Sequence, residues 1–266
     1  MIPKIIHYCW FGGKPMPKLE KRCMESWQRM LPEYKIKRWD ETAFDVYSHP
    51  FTAAAYKAKK YAFVADYVRL YALQQYGGIY LDTDIEIVKP FDNLLSYSAF
   101  GGFETPTIMQ TGVLAMTPGN IIFKEFFDVY QHIPYEVDEN GENKTQPNSA
   151  ILAQILSNHG LRLDDSRQSV EGMEIFPQEY FCPINQATRQ IVVTPNTYTI
   201  HYLSGSWFST KLRLINRIKR IVGKVFGYNT INVIRKLGLT KLFLPNILVL
   251  GLKHPQGCQC HRKFSF

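Results

Sequence analysis

The stretch Tyr76-Gly77-Gly78-Ile79-Tyr80-Leu81-Asp82-Thr83-Asp84 constrains this chain more than any other. Two adjacent glycines end an apolar, helix-like run, because helices commonly stop where a residue without Cβ takes a left-handed turn. Ile79-Tyr80-Leu81 then reads as a short buried strand, and two aspartates one residue apart follow it. In extended chain the side chains at i and i+2 share a side, so Asp82 and Asp84 converge while Thr83 points away. Two carboxylates held that close repel unless one is protonated or a cation lies between them. Such oxygen ligands suit Mg²⁺ or Mn²⁺, which commonly bind through one or two carboxylates plus substrate phosphates. A bare Asp-x-Asp also reads as a solvated turn. The helix, glycine pair and strand in front of it favour a metal–diphosphate site.

The preceding sequence reads as the start of an α/β sheet. Residues 4–10 form an apolar strand that runs into the loop Phe11-Gly12-Gly13-Lys14-Pro15, and ligands of such sheets sit beyond the carboxyl ends of the strands. Trp10, at that exit, either stacks on a base or caps the core. Residues 17–30 have helical spacing, 34–39 alternate as a strand, and 40–58 read as one or two short helices interrupted at Ser48-His49-Pro50. Residues 59–76 are the strongest helix, with an apolar stripe of Phe63, Tyr67, Leu70, Tyr71 and Leu73. Asp66 and Arg69 share a face of it, as an ordinary helix ion pair or as two groups aimed at the cleft of the aspartates.

Beyond the aspartates, 99–104 and 112–116 read as strands, 121–130 and 149–158 as helices, and 174–177 and 197–202 as late strands. The polar segment 136–148 reads as a surface loop or lid. Strands mixed with helices in this order predict an α/β domain. His201, at the end of the last strand, offers a nitrogen to a metal shell that already holds two carboxylates, or is a plain polar side chain. Glu104, after the Gly101-Gly102 turn, is a candidate for acceptor contact.

Five scattered cysteines argue against a disulfide framework and fit a reducing compartment. Met1-Ile2-Pro3-Lys4 runs into a strand without the pattern of a secretion leader, so a cytoplasmic protein is expected. The apolar segment 242–252 is broken by Pro245 and is too short to span a bilayer. The net charge of +8 is unevenly placed: residues 1–210 carry 19 basic and 23 acidic side chains, and 211–266 carry 12 basic and no acidic ones. Two parts are therefore expected, a catalytic domain over 1–210 and a basic helical region over 211–266. Within 211–226, Leu214, Ile215, Ile218, Ile221, Val222 and Val225 form one stripe among Arg213, Arg217, Lys219, Arg220 and Lys224. That pattern predicts a helix lying on an anionic membrane surface, or else one packed on the body. Nucleic acid is not an expected partner, because the tail lacks aromatic interleaving. Cys258-Gln259-Cys260-His261 lacks the second ligand pair of a structural zinc site.

The segments Ile2-Pro3-Lys4-Ile5-Ile6-His7-Tyr8-Cys9-Trp10-Phe11-Gly12-Gly13, Ala65-Asp66-Tyr67-Val68-Arg69 and Tyr76 to Asp84, in this order, resemble the glycosyltransferase sugar-binding region with an Asp-x-Asp motif. The chain is similar to a bacterial member of glycosyltransferase family 32, related to yeast mannosyltransferases and more distantly to the glucosyltransferase domains of large clostridial toxins. The resemblance covers about residues 1–120, weakens to 210, and does not extend to the tail.

This resemblance implies a GT-A type fold, one Rossmann-like nucleotide-sugar-binding domain with a mixed central sheet. It implies a retaining, metal-dependent hexosyltransferase that uses Mn²⁺ or Mg²⁺. The donor is a nucleotide sugar, UDP-hexose through Trp10 and the toxin likeness or GDP-mannose through the yeast relatives. Carried over by position, Trp10 stacks on the base, Asp66 and Arg69 contact the donor sugar, and Arg69 lies near the diphosphate. Asp82 and Asp84 hold the metal, Asp82 also reaches the ribose, His201 completes the metal set, and Trp207 closes over the phosphates. The implied acceptor is a lipid-linked saccharide of bacterial capsule, O-antigen or other surface polysaccharide, on the inner face of the plasma membrane. A toxin-like protein glycosyltransferase and a non-catalytic nucleotide- or carbohydrate-binding protein are the alternatives.

Overall fold

The computed structural model describes residues 1–137, 144–186 and 188–205, all in the unit Met1–Trp207. Trp207, the basic stretch 211–226, the Cys258–His261 cluster and residues 138–143 of the polar segment expected as a lid lie outside the described residues.

Strand β1 (Ile5–Cys9) leads to helix α1 (Lys18–Met30), β2 (Lys35–Trp39), α2 (Pro50–Lys57) and α3 (Tyr61–Tyr76). Then come β3 (Gly78–Leu81), β4 (Ile85–Ile87), β5 (Ala99–Thr105), β6 (Ile108–Met109), β7 (Val113–Met116), α4 (Ile121–His132) and α5 (Asn148–Asn158). The described chain closes with β8 (Gln168–Val170), β9 (Met173–Phe176), the short α6 (Gln178–Phe181) and β10 (Thr199–His201). The main sheet has the order β2-β1-β3-β7-β5-β9-β8, with β6 on β5. β1 pairs parallel with β2 and β3, and β5 with β9, whereas β7 runs antiparallel to both β3 and β5. The sheet is therefore mixed α/β, as expected.

Strand periodicity sorts side chains into a core on each face. Tyr80, Leu114 and Met116 join the core under α2, α3, α4 and α5, and Ile79, Leu81, Val113 and Ala115 join the one beside α1. Lying in the fold's interior, α3 buries Val64, Tyr67, Val68, Leu70, Ala72 and Leu73, so its buried surface is wider than the stripe read from sequence. Among the described residues no helix is long and apolar enough to cross a membrane.

Local chemistry explains several boundaries. Ser48-His49-Pro50 starts a helix instead of interrupting one: the His49 Nδ1 accepts the Phe51 N–H at 3.2 Å, and Pro50 takes the first position, where its missing N–H costs nothing. Asn120 caps α4 by accepting the N–H groups of Ile122 and Phe123. The start of α5 has no side-chain cap, with Pro147 standing at that position.

The Gly77-Gly78 corner is required by sterics. Both residues have positive φ, +60° and +99°, and a Cβ on Gly78 would sit 2.6 Å from the Ile5 carbonyl oxygen. His7 lies behind this corner, fully buried and held on both sides: its Nε2–H donates to the Gly77 carbonyl at 2.9 Å, and its Nδ1 accepts the Trp39 Nε1–H at 3.1 Å. Those partners fix one neutral tautomer, and burial lowers its pKa to about 4.

Candidate active site

β3 ends at Leu81, and the chain turns at once. The Ile85 N–H donates to the Asp82 carbonyl at 3.1 Å, so Asp82-Thr83-Asp84 is a tight turn into β4. The two aspartates therefore do not converge as neighbours on one face of extended chain. The turn is held from below by α1, whose Trp27 Nε1–H donates to the Ile85 carbonyl at 2.7 Å and whose Ser26 Oγ accepts the Ile87 N–H at 2.9 Å.

β10 completes the site from far along the sequence. It pairs antiparallel with β4 in a separate two-stranded sheet, with His201 opposite Ile85. This register brings one ligand atom each from Asp82, Asp84 and His201 within 4.8 Å of one another. His201 Nε2 lies 3.3 Å from Asp84 Oδ1, and the Ser204 N–H donates to Asp84 Oδ2 at 2.7 Å. Burial raises the Asp84 carboxyl, but His201 and the Ser204 N–H outweigh it and hold it well below the usual range. Burial likewise disfavours the charged His201 ring, and the adjacent Asp84 carboxylate more than offsets it. The His201 Nδ1 is buried with no nitrogen or oxygen partner among the described residues.

Asp82 belongs equally to a second group. Its Oδ1 accepts the Tyr80 hydroxyl at 3.0 Å and lies 3.4 Å from Arg69 Nη2. Arg69 is buried and tied on several sides: Nη1 donates to the Thr111 carbonyl at 2.6 Å, Nη2 to Asp66 Oδ1 at 2.9 Å, and the guanidinium lies 4.5 Å from the centre of the Tyr80 ring. Asp66 also accepts the Asn148 Nδ2–H at 2.6 Å, and Thr111 Oγ1 donates to Asn148 Oδ1 at 3.0 Å. Burial pushes the Asp66 carboxyl up to about 6, although Arg69 pulls the other way. The Asp66–Arg69 pair is therefore an ion pair whose cation also faces Asp82, and the two readings of it from sequence hold together.

Gly112 closes the floor. Its carbonyl accepts the Asp82 N–H at 2.9 Å, and a Cβ there would lie 2.9 Å from His201 Cε1 and 3.0 Å from Asp82 Oδ2. Trp10 sits half-buried at the end of β1, against the core beside α1, and donates its indole N–H to the Lys14 carbonyl at 2.7 Å. Glu104, on β5, accepts from Gln186 Nε2 at 2.7 Å and is coupled electrostatically to His201, Asp82 and Asp84.

Asn148, Thr111, Gly112, Tyr80 and Ser204 were not singled out in the sequence. Tyr80 carried a signal, since it stands two residues before Asp82 on a strand and so shares its side. The others reach the site through pairings distant in sequence, which a local pattern does not carry.

Residues 17–101 match the family described as the glycosyltransferase sugar-binding region containing DXD motif. Mannosyl phosphorylinositol ceramide synthase SUR1 of Saccharomyces cerevisiae is 29% identical over 145 residues, covering 51% of this chain and 38% of that protein. Inositol phosphoceramide mannosyltransferase 3 of Schizosaccharomyces pombe is 29% identical over 147 residues, covering 50% of this chain and 40% of its own. The chain thus spans about two-fifths of the length of these curated relatives. Among solved structures, one titled PaToxG Glycosyltransferase aligns with a TM-score of 0.46 and 22% identity over 59% of this chain and 68% of that one. Asp66, Arg69, Asp82 and Asp84 all fall inside the matched segment. The likeness to the glycosyltransferase sugar-binding region containing the DXD motif thus lies over residues 17–101, the part of the chain that carries both aspartates and the Asp66–Arg69 pair.

Proposed function

We propose that this protein transfers a hexosyl group from a nucleotide sugar to a glycan or glycolipid hydroxyl, with retention at the anomeric carbon. The observation that carries the reading is the convergence of Asp82, Asp84 and His201 beside the Arg69–Asp66 pair. The residues fit a divalent cation: one half-buried and one buried carboxylate, a buried imidazole whose Nδ1 has no nitrogen or oxygen partner among the described residues, and a glycine where any side chain would intrude. Asp82, Asp84 and His201 would hold Mn²⁺ or Mg²⁺, which when bound neutralises a diphosphate.

The remaining chemistry belongs to the chain itself. Arg69, braced by Asp66 and the Thr111 carbonyl, presents fixed positive charge to the leaving diphosphate and needs no reorganisation as that charge develops. Asp66 and Asn148 accept and donate hydrogen bonds to donor-sugar hydroxyls, and Asp82 reaches the ribose. Trp10 stacks on the base, and Trp207 closes over the phosphates. The acceptor oxygen bonds to the anomeric carbon as the carbon–phosphate oxygen bond breaks; the electron pair leaves with the diphosphate, which takes the hydroxyl proton. This front-face route needs no separate base.

The names of the relatives weight the donor towards a mannosyl nucleotide and the acceptor towards a glycolipid. The likeness of Trp10 to toxin domains favours UDP-hexose. The setting we propose is a lipid-linked saccharide of bacterial surface-polysaccharide assembly, reached from the cytoplasmic face through residues 211–226. A panel of UDP- and GDP-sugars with and without Mn²⁺ tests the donor by melting temperature, since a ligand that binds only the folded state raises it. Failure of every sugar to shift the protein in the presence of metal refutes the reading. Deleting residues 211–266 is expected to release the protein from anionic vesicles; undiminished binding refutes the membrane role.

A further inference from the structure

An open, solvent-facing cavity of about 550 Å³, of a size that admits a single sugar ring, lies next to the strand that carries Glu104. Thr105 at the end of β5, Asp165, Glu179, Gln186, Val192 and Thr194 line it. Gln186 links it to the candidate active site by donating to Glu104, the neighbour of Thr105 and the carboxylate coupled to Asp82, Asp84 and His201.

We infer that this cavity binds the terminal sugar of the acceptor as an uncharged polyol, with Glu104 and Gln186 at its inner end. This rests on the transferase reading above and names the substrate class that the site takes. Charge argues for the polyol. Among the described residues that line the cavity there is no lysine or arginine, whereas Asp165 and Glu179 are both carboxylates, and a third, Glu104, is held by the lining Gln186. Sugar hydroxyls are donors that carboxylates accept, and a phosphate in the same place would meet like charge without a counter-ion.

The walls are also built in advance. Glu179 Oε2 accepts the Thr194 hydroxyl at 2.8 Å and Oε1 the Asn196 side-chain N–H at 2.9 Å. Asp165 accepts the Gln178 N–H at 2.7 Å from a left-handed backbone with φ of +59°. Val192, 58% exposed, supplies an apolar surface for the less polar face of a pyranose ring.

The placement gives the reaction its second half. Bound here, the sugar presents a hydroxyl past Glu104 towards the donor, and any phosphate of a lipid carrier stays outside the cavity.

Saturation-transfer NMR on the full chain tests this with two probes, methyl α-D-mannopyranoside and myo-inositol 1-phosphate. The glycoside is expected to receive saturation, at least fivefold less in Val192→Trp, which fills the mouth, and in Gln186→Ala, which removes the inner donor. The inositol phosphate is expected to receive little. Absence of glycoside binding, glycoside binding indifferent to both substitutions, or stronger binding of the phosphorylated probe overturns the proposal. The nucleotide-sugar melting shift of the unsubstituted protein is read separately. A chain that takes the glycoside but no nucleotide sugar keeps the cavity and loses the donor reading; the reverse result loses the cavity alone.

Discussion

Nε2 of His201 lies 3.3 Å from Oδ1 of Asp84, although the two residues come from opposite halves of the sequence. The register of β10 on β4 produces this contact. Replacing Asp84 by Asn keeps the shape and removes the charge that a divalent cation needs. Transfer from a nucleotide sugar is expected to fall about 10²–10³-fold, the usual effect of deleting one electrostatic stabiliser of a leaving group. Initial-rate assays with saturating Mn²⁺ check it, and a variant within threefold of the parent rules out the metal role.

Gly112 offers a test that leaves every charged group in place. In Gly112→Ala the new Cβ meets His201 Cε1 at 2.9 Å and Asp82 Oδ2 at 3.0 Å, so one of them must move. Mn²⁺ affinity is expected to drop about tenfold or more, in line with the cost of disturbing groups that orient metal ligands. Isothermal titration against Mn²⁺ with nucleotide present reads this, and equal affinity in the two proteins contradicts it.

Arg69 is the keystone of the buried polar group. Truncation to Ala leaves the buried Asp66 carboxylate without its cation, with only the Asn148 side-chain donor, and takes the Arg69 donor from the Thr111 carbonyl. Breaking a buried pair by deleting one partner costs roughly 3–5 kcal/mol, so the urea midpoint should fall sharply. The double variant Asp66→Asn with Arg69→Met is expected to recover part of that loss, since the buried Asp66 charge is then removed together with its partner. Equal stability of the single and double variants would show that the two residues are not coupled.

Two buried groups give opposing dependences on pH. The folded-state pKa of His7, about 4, lies below its ordinary value of 6.5, so its contribution is present above pH 6.5 and is lost as pH falls through 4. The folded-state pKa of Asp66, about 6, lies above its ordinary 3.8, so its contribution is present below 3.8 and is lost as pH rises through 6. Each spans about 3 kcal/mol at 1.36 kcal/mol per unit. Between pH 6.5 and 4 the two largely cancel. In His7→Gln the opposing His7 dependence is gone, so the variant's denaturation midpoint should gain on the parent's as the buffer is acidified across this window. A variant whose midpoint does not gain on the parent's on acidification argues against the assignment.

Much of the architecture could be read from the chain because period-two and helical patterns are local. β1, α1, β2, α3, β7 and α4 fall within a few residues of where their side-chain spacing puts them. The segments that escaped are short or polar. Ile85-Glu86-Ile87 has only three residues to show alternation, and Gln168-Ser169-Val170 offers a single apolar one. At the site, the Asp-x-Asp spacing was visible but its geometry was not: extended backbone and a tight turn both bring alternate carboxylates together, and only the Ile85-to-Asp82 hydrogen bond separates them. Asn148 and Ser204 act through contacts across many intervening residues, and no one-dimensional pattern records those.

The little ribbon formed by β4 and β10 stands apart from the large sheet and is only three residue pairs long. One wall of the ion pocket is thus hung on a short clasp, extended only by the Tyr202 N–H to the Asp84 carbonyl at one end and the Val88 N–H to the Tyr198 carbonyl at the other. An ion gripping both halves would rivet that clasp shut. Occupancy of the pocket and fastening of the late strand then become a single event, and a chain loaded with metal should shield the amides of Thr199 to His201 from deuterium far better than one without it.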